Sequence, residues 1–235
     1  MQAQKYLSLL SQLKISKYKN SSQSLCCFNA QKGNEYNNNL MIVGRAVNGW
    51  HHEFDMNNLN VETMVNEIFN QAATSDCPLK WVEDSWGINE GYNTKSSAFW
   101  RVTKQVSQCL NENSSSTGWA SKIVWSNLYK IAPSITGNPS DSLCDKQFVY
   151  CNELLLAEIE EYNPRVIIFF TGLNWFNGFL SNAVSLASNK EHSLVEAHGV
   201  LKINDEEVII IIAKHPQGKP EAEMVNEILS ITSVT

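Results

Sequence analysis

The chain has 235 residues, a net charge of −6 and ordinary globular composition, with 43% hydrophobic and 10% aromatic residues. This length suits one large domain, and the acidic balance argues against broad, sequence-blind attraction to a polyphosphate backbone while allowing a small local basic rim. The longest apolar runs fall far short of the roughly 18 residues a membrane-spanning helix needs, and the N-terminus interleaves apolar positions with Lys and Gln, unlike a signal peptide. The expectations are a cytoplasmic location, no membrane contact and a monomer.

The first segment, residues 1–20, reads as a short amphipathic helix. Residues 20–39 are rich in Asn and Ser and read as a connecting loop; together, residues 1–39 are expected to pack on a domain formed by residues 40–235. "LMIVG" (40–44) is a short apolar strand ended by Gly44. Residues 61–73 place Val61, Met64, Val65, Ile68, Phe69 and Ala72 at helical spacing. Residues 74–96 hold Trp81, Trp86, Gly87, Gly91 and Tyr92 without clear period and read as an excursion loop.

Helical spacing returns over 97–110 through Phe99, Val102, Val106, Cys109 and Leu110. A strand is expected at Ile123–Ser126, in a segment broken at Pro133. A long helix spans 141–163, with Asp141 as its expected N-cap. Val166–Phe170 is a buried strand closed by Thr171-Gly172, and residues 173–186 read as helical. Residues 198–213 form a hairpin turning near Asn204-Asp205. Its second arm runs Val208 to Ile212, then Ala213-Lys214-His215-Pro216. Residues 221–231 form a final amphipathic helix.

Four short strands, apolar at every position and separated by helices, suit a parallel sheet covered on both faces. The expected fold is therefore α/β: a single doubly wound domain with a four-stranded, mainly parallel central sheet flanked by helices. In such sheets ligands bind beyond the carboxyl ends of the strands, so the residues just after each strand are the ones to inspect. They are Gly44-Arg45-Ala46-Val47-Asn48-Gly49-Trp50, then Asn127-Leu128-Tyr129-Lys130, then Thr171-Gly172-Leu173-Asn174-Trp175, then His215-Pro216-Gln217-Gly218-Lys219. Amide, imidazole and aromatic groups gather there and acids are scarce, which suits a flat, neutral, hydrogen-bonding ligand such as a nucleobase.

The order "VGRAVNGW", "IVWSNLYKIAP", "PRVIIFFTG", "AKHPQGK" resembles the uracil-DNA glycosylase superfamily over residues 40–232. There a Gly-led loop follows the first strand, an Asn closes the second, and a His-Pro loop closes the fourth. The resemblance implies a protein that recognises a flipped uracil or related base in DNA and hydrolyses its N-glycosidic bond, without a cofactor. It implies that Asn127 checks the Watson–Crick edge of the base and that His215 stabilises the negative charge left on it. Pro216 would stiffen the loop, and Gln217 and Lys219 would line the strand or its phosphates. Gly44, Arg45 and Ala46 would form the first loop against the substrate. Phe99 or Trp100 would stack on the base, with Trp50 as a rival.

The first loop departs from the family's usual pattern. Gly44-Arg45-Ala46-Val47 lacks the proline and the polar residue that serves attacking water, leaving Asn48 or Glu53 as substitutes. That departure and the acidic charge keep open a non-catalytic relative binding a nucleobase, nucleotide or nucleic acid. Each group also has a plainer reading: His215 capping a loop, Asn127 or Asn48-Gly49 in a turn, Phe99 and Trp100 in the core, Lys219 exposed. Trp50-His51-His52 does not have metal-site spacing, and no Cys-x-x-Cys pair occurs among the six cysteines, so no metal is expected. The acids Asp84, Glu90, Glu158, Glu160 and Glu161 read as solvated surface. The spatial expectation is that Asn127 and His215 converge on one planar guest.

Overall fold

The computed structural model describes residues 1–16, 24–69, 76–111, 117–188, 192–203 and 206–233. In chain order the elements are α1 (Gln2–Ile15), β1 (Leu25–Cys27), β2 (Gln31–Lys32), β3 (Leu40–Gly44), β4 (Glu53–Phe54) and α2 (Val61–Phe69). They continue with α3 (Lys80–Asp84), α4 (Ala98–Leu110), β5 (Ile123–Asn127), β6 (Ile131–Pro133), α5 (Asp141–Tyr162) and β7 (Val166–Phe170). The last are α6 (Leu173–Phe176), β8 (Val184–Ser188), β9 (Val195–Ile203), β10 (Glu206–Ala213) and α7 (Glu221–Thr232). Among the described residues no helix is long and apolar enough to cross a membrane.

The chain divides into two compact units. One comprises Met1–Ala30, Gly44–Thr74 and Asn127–Glu161; the other comprises Gln31–Val43, Ser75–Ser126 and Tyr162–Thr235.

The second unit is built on a seven-stranded sheet of order β2-β5-β3-β7-β10-β9-β8. The four expected strands are contiguous at its centre. β3 pairs parallel with β7, and β7 with β10. Every residue of β3, β5 and β7 is buried, as the apolar runs of β3 and β7 require, and in β5 the burial extends to Ser126 and Asn127. The expected four-stranded sheet is too small, and the sheet is mixed. β10 continues outward into antiparallel β9, and β9 into antiparallel β8, while β2 adds antiparallel to β5. β8 reads half-buried to exposed, so its composition gives no strand signal of the kind carried by the central four.

α4 packs against α7, and α7 against β9 and β10. Phe99 on α4 meets Phe170 on β7 edge to face, with ring centroids 5.7 Å apart. Five tryptophans fill the same unit: Trp100 lies 5.1 Å from Trp125, 5.7 Å from Trp81 and 6.3 Å from Trp119, which in turn lies 5.9 Å from Trp86. This cluster is why the expected excursion loop is ordered over its described residues, 76–96. Trp81 anchors α3, and a single 3₁₀ turn at Thr94–Ser96 leads into α4.

The first unit carries a three-stranded antiparallel sheet of order β4-β1-β6 together with α1, α2 and most of α5. α1 buries Tyr6, Leu9, Leu10 and Leu13, one stripe at helical spacing. Leu25–Cys27, expected within a loop, is a fully buried strand. Three residues are too few to show a period, and pairing with β4 and β6 decides their conformation.

Other expectations are corrected as well. Helix survives only over Leu173–Phe176 of residues 173–186. Gly178 (φ 86°) and Leu180 (φ 53°) take left-handed backbone that cannot continue a helix, and the chain then joins β9 as β8. Asp141 is the first residue of α5, and the Ser140 hydroxyl accepts the Leu143 N–H ahead of it. Glu158 is buried rather than solvated. The turn at Asn204-Asp205 and the end of the helix expected over 61–73 lie outside the described residues.

Candidate active site

β3 lies between β5 and β7, so the strand following it in the sheet core joins one side and the later strands join the other. This is the switch point at which open α/β sheets bind ligands, beyond the carboxyl ends. The candidate residues fall into two groups, one in each unit.

In the second unit, β10 delivers His215 two residues past its end. Lys219 N–H donates to Pro216 O (3.0 Å), closing a turn with Gly218 at φ 71°. A side chain at Gly218 would meet nothing within 4 Å, so the glycine is there for its backbone. Pro216 is buried and fixes the start of the turn, while Gln217, Gly218 and Lys219 are exposed.

The Gln217 N–H donates to His215 Nδ1 (3.3 Å). A ring nitrogen that accepts cannot also carry the proton, so in the neutral imidazole Nε2 is the donor. The half-buried His215 ring faces Phe99 nearly parallel, at 26° with centroids 6.5 Å apart. His215, Gln217 and Gly218 line one cavity of about 530 Å³ with Phe99, Arg101 and Tyr92. Trp100 sits apart from that lining, buried in the tryptophan cluster. Lys219 is exposed beyond the lining residues.

The cavity wall has its own fastening. Arg101 Nε lies 3.1 and 3.0 Å from the two carboxylate oxygens of Glu221, and Arg101 Nη1 donates to Lys95 O (2.7 Å). The guanidinium thereby ties α4, which carries Phe99, to the first residue of α7, which follows the His215 turn. Sequence spacing gives no sign of this pair, because 120 positions separate its members.

In the first unit, the segments that follow β3 and β5 run side by side. Leu128 N–H donates to Gly44 O and Tyr129 N–H to Arg45 O, both at 2.9 Å. Gly44 is buried, and Arg45 and Ala46 are half-buried. Asn127 is 2% exposed at the end of β5. Asn48 is exposed, and its Oδ1 accepts the Gly137 N–H (2.7 Å). Trp50 is half-buried, edge to face with Phe28 at 5.4 Å.

The Asn127 carbonyl accepts from Lys130 Nζ (2.8 Å), and the same ammonium meets both oxygens of Glu158 at 2.7 and 2.8 Å. Both side chains are buried, at 0% and 1% exposure. The sequence placed Glu158 on the surface because its neighbours Glu160 and Glu161 are acidic; the fully buried lysine was the missing signal.

The sequence matches the Uracil DNA glycosylase superfamily over residues 31–221, most of the chain. The chain belongs to the uracil DNA glycosylase superfamily. No curated protein matches it. As a member of this superfamily the chain carries the domain of proteins that act on DNA, and a glycosylase-like function in general follows from that membership. Within this superfamily member, the His-Pro turn and the Asn-closed strand are the elements already described around His215 and Asn127.

Proposed function

We propose that this superfamily member takes a uracil or related base flipped out of DNA and hydrolyses its N-glycosidic bond. The observation that carries the reading is the His215 ring: Nδ1 is engaged by the Gln217 N–H, so Nε2–H is the donor, in a cavity with Phe99 alongside. When the bond to C1′ breaks, its electron pair goes to the base, and water supplies the new C1′–O bond and a proton. A fixed N–H donor aimed at a base oxygen stabilises the anion as it forms.

In this reading Asn127 donates to one base oxygen and accepts from the ring N–H, which distinguishes uracil from cytosine. Phe99 presents an aromatic face to the base, with Trp50 as a further aromatic candidate in place of the buried Trp100, and Gly44, Arg45, Ala46, Gln217 and Lys219 contact the flanking strand. Asn48 would order the attacking water with the polar atoms not engaged by Gly137.

A second reading, a non-catalytic relative that binds a nucleobase, nucleotide or nucleic acid, is favoured by one observation. Gly44-Arg45-Ala46-Val47 offers no carboxylate to water, and the nearby amide of Asn48 is already partly engaged.

One assay separates the two. The protein is incubated at low salt with labelled uracil-containing oligonucleotides, single- and double-stranded, then treated with alkali. Strand scission that is lost in His215→Ala and Asn127→Ala establishes cleavage. Base binding by calorimetry without scission establishes the second reading. Low salt is used because an acidic protein binds a phosphate backbone weakly otherwise.

A further inference from the structure

We infer that the buried Lys130–Glu158 pair is a positioning device for Asn127, setting the orientation of the peptide from which that amide projects; the inference rests on the role proposed for Asn127. A lysine buried to 0% exposure is rare without a partner, and Glu158 at 1% is that partner. Such pairs pay heavily in lost hydration, and apolar side chains of similar volume commonly replace them with no loss of stability. Stability therefore does not account for the pair. What an apolar pair cannot supply is a donor to the Asn127 carbonyl, and Lys130 Nζ is that donor at 2.8 Å.

The surrounding bonds show the same segment held residue by residue. Leu128 and Tyr129 N–H groups are taken by Gly44 O and Arg45 O. Lys130 and Ile131 N–H groups both donate to Gln147 Oε1 (3.2 and 2.9 Å), and Gln147 Nε2 donates to Ile131 O (2.9 Å). The Lys130 carbonyl accepts from Phe28 N–H (2.8 Å) and from the Tyr6 hydroxyl (3.3 Å). The ammonium fixes the carbonyl at the head of this series, three residues before its own Cα. Glu158, on the long helix α5, fixes the ammonium in turn.

The test is the paired variant K130M/E158M in the full chain, with two readouts. The first is the side-chain amide resonance of Asn127 by ¹⁵N–¹H NMR, assigned through its loss in N127D. The second is kcat and KM on a uracil-containing oligonucleotide. Positioning predicts that the pair variant still folds and melts somewhat below the parent, because both charges leave together but the Asn127 carbonyl loses a donor. It predicts that the Asn127 amide broadens or splits, and that kcat falls by about tenfold or more while KM moves much less.

An unchanged Asn127 amide in a folded pair variant overturns the inference, whatever the protein's activity. N127A separates the failures: full excision by N127A sinks the base-reading role of Asn127, whereas loss in N127A with parental kcat in K130M/E158M sinks the positioning role alone. E158Q, which keeps shape and one acceptor, is the second variant should the pair variant not fold. A smaller change of the same sign in the Asn127 amide supports the inference, and none overturns it.

Discussion

The rings of Phe99 and His215 lie nearly parallel, 26° apart, with centroids separated by 6.5 Å. One comes from a helix and the other from a turn after a strand, 116 positions later in the sequence. Phe99 is 8% exposed and backed by Phe170, so its position is set by packing. Phe99→Leu keeps an apolar side chain of smaller volume and removes the flat face. Stacking on a base is worth about 1–3 kcal/mol, so base binding or excision should weaken by roughly 10- to 100-fold. Thermal melting should fall modestly because Phe99 is mostly buried; at a temperature where the variant stays folded, excision should still drop, and unchanged excision there would assign Phe99 to the core alone.

Gly218 gives a separate handle on the same turn. With φ at 71° and nothing within 4 Å of an added Cβ, Gly218→Ala pays only for left-handed backbone, about 1–2 kcal/mol. Urea unfolding should show that cost or a relaxed turn in its place. In the relaxed case the Gln217 N–H leaves His215 Nδ1, and ¹⁵N imidazole shifts would report mixed tautomers.

Arg101 and Glu221 are each partly exposed, at 33% and 25% for their side chains. Their bidentate geometry raises the pair above an ordinary surface ion pair, but solvent screening limits the coupling to about 1 kcal/mol. A double-mutant cycle with R101Q and E221Q should show that coupling at low salt and less of it in molar salt. The exchanged pair R101E/E221R should recover part of the stability lost by either single reversal.

Glu227 sets an acid limit on the fold. Burial pushes its carboxyl group up, but the N–H groups of Val195, Leu194 and Ser193 and the charge of His192 outweigh this and hold it below its usual value. A carboxylate favoured in the folded state contributes its full stability above the unfolded pKa of about 4.3 and loses it as pH falls through the folded value. Glu227→Gln should cost about 1–3 kcal/mol near neutral pH, where three N–H groups lose a charged acceptor. The difference between parent and variant in chemical unfolding should begin to shrink as pH falls below the unfolded pKa and should close once the folded carboxyl is protonated.

Cysteine reactivity follows burial. Desolvation pushes the Cys26 thiol up to about 11 and Cys151 to about 12, and raises Cys27 further. Cys109 is exposed on α4. Under native conditions a thiol reagent should modify Cys109 first and leave Cys26, Cys27 and Cys151 unlabelled until denaturant is added. Peptide mapping after timed alkylation reads this order directly.

The central strands were legible because burial on both faces writes the same apolar letters at every position, as in Val166–Phe170 and Val208–Ile212. The His-Pro turn was legible because Gly218 and Pro216 mark it. What stayed hidden depends on partners distant in sequence. Leu25–Cys27 becomes a strand through β4 and β6, and Val184–Ser188 through β9. Glu158 looked solvated until Lys130 supplied its counter-charge. The role of Asn48 in holding Gly137 likewise needed coordinates, since 89 positions separate them.

The threading of the chain constrains how the protein is made. Both units are discontinuous in sequence, and the chain passes between them five times, two of these at the ends of β3 and β5. During synthesis, the last stretch of the first unit emerges with α5, while β3, flanked by β5 and β7, gains its second neighbour only with β7, and β7 its own with β10. The second unit therefore assembles only after ribosomal release of its C-terminal third, and no single cleavage point yields either unit as a continuous fragment. Limited proteolysis should accordingly produce nicked but associated chains or wholesale degradation, without a stable piece containing one intact unit.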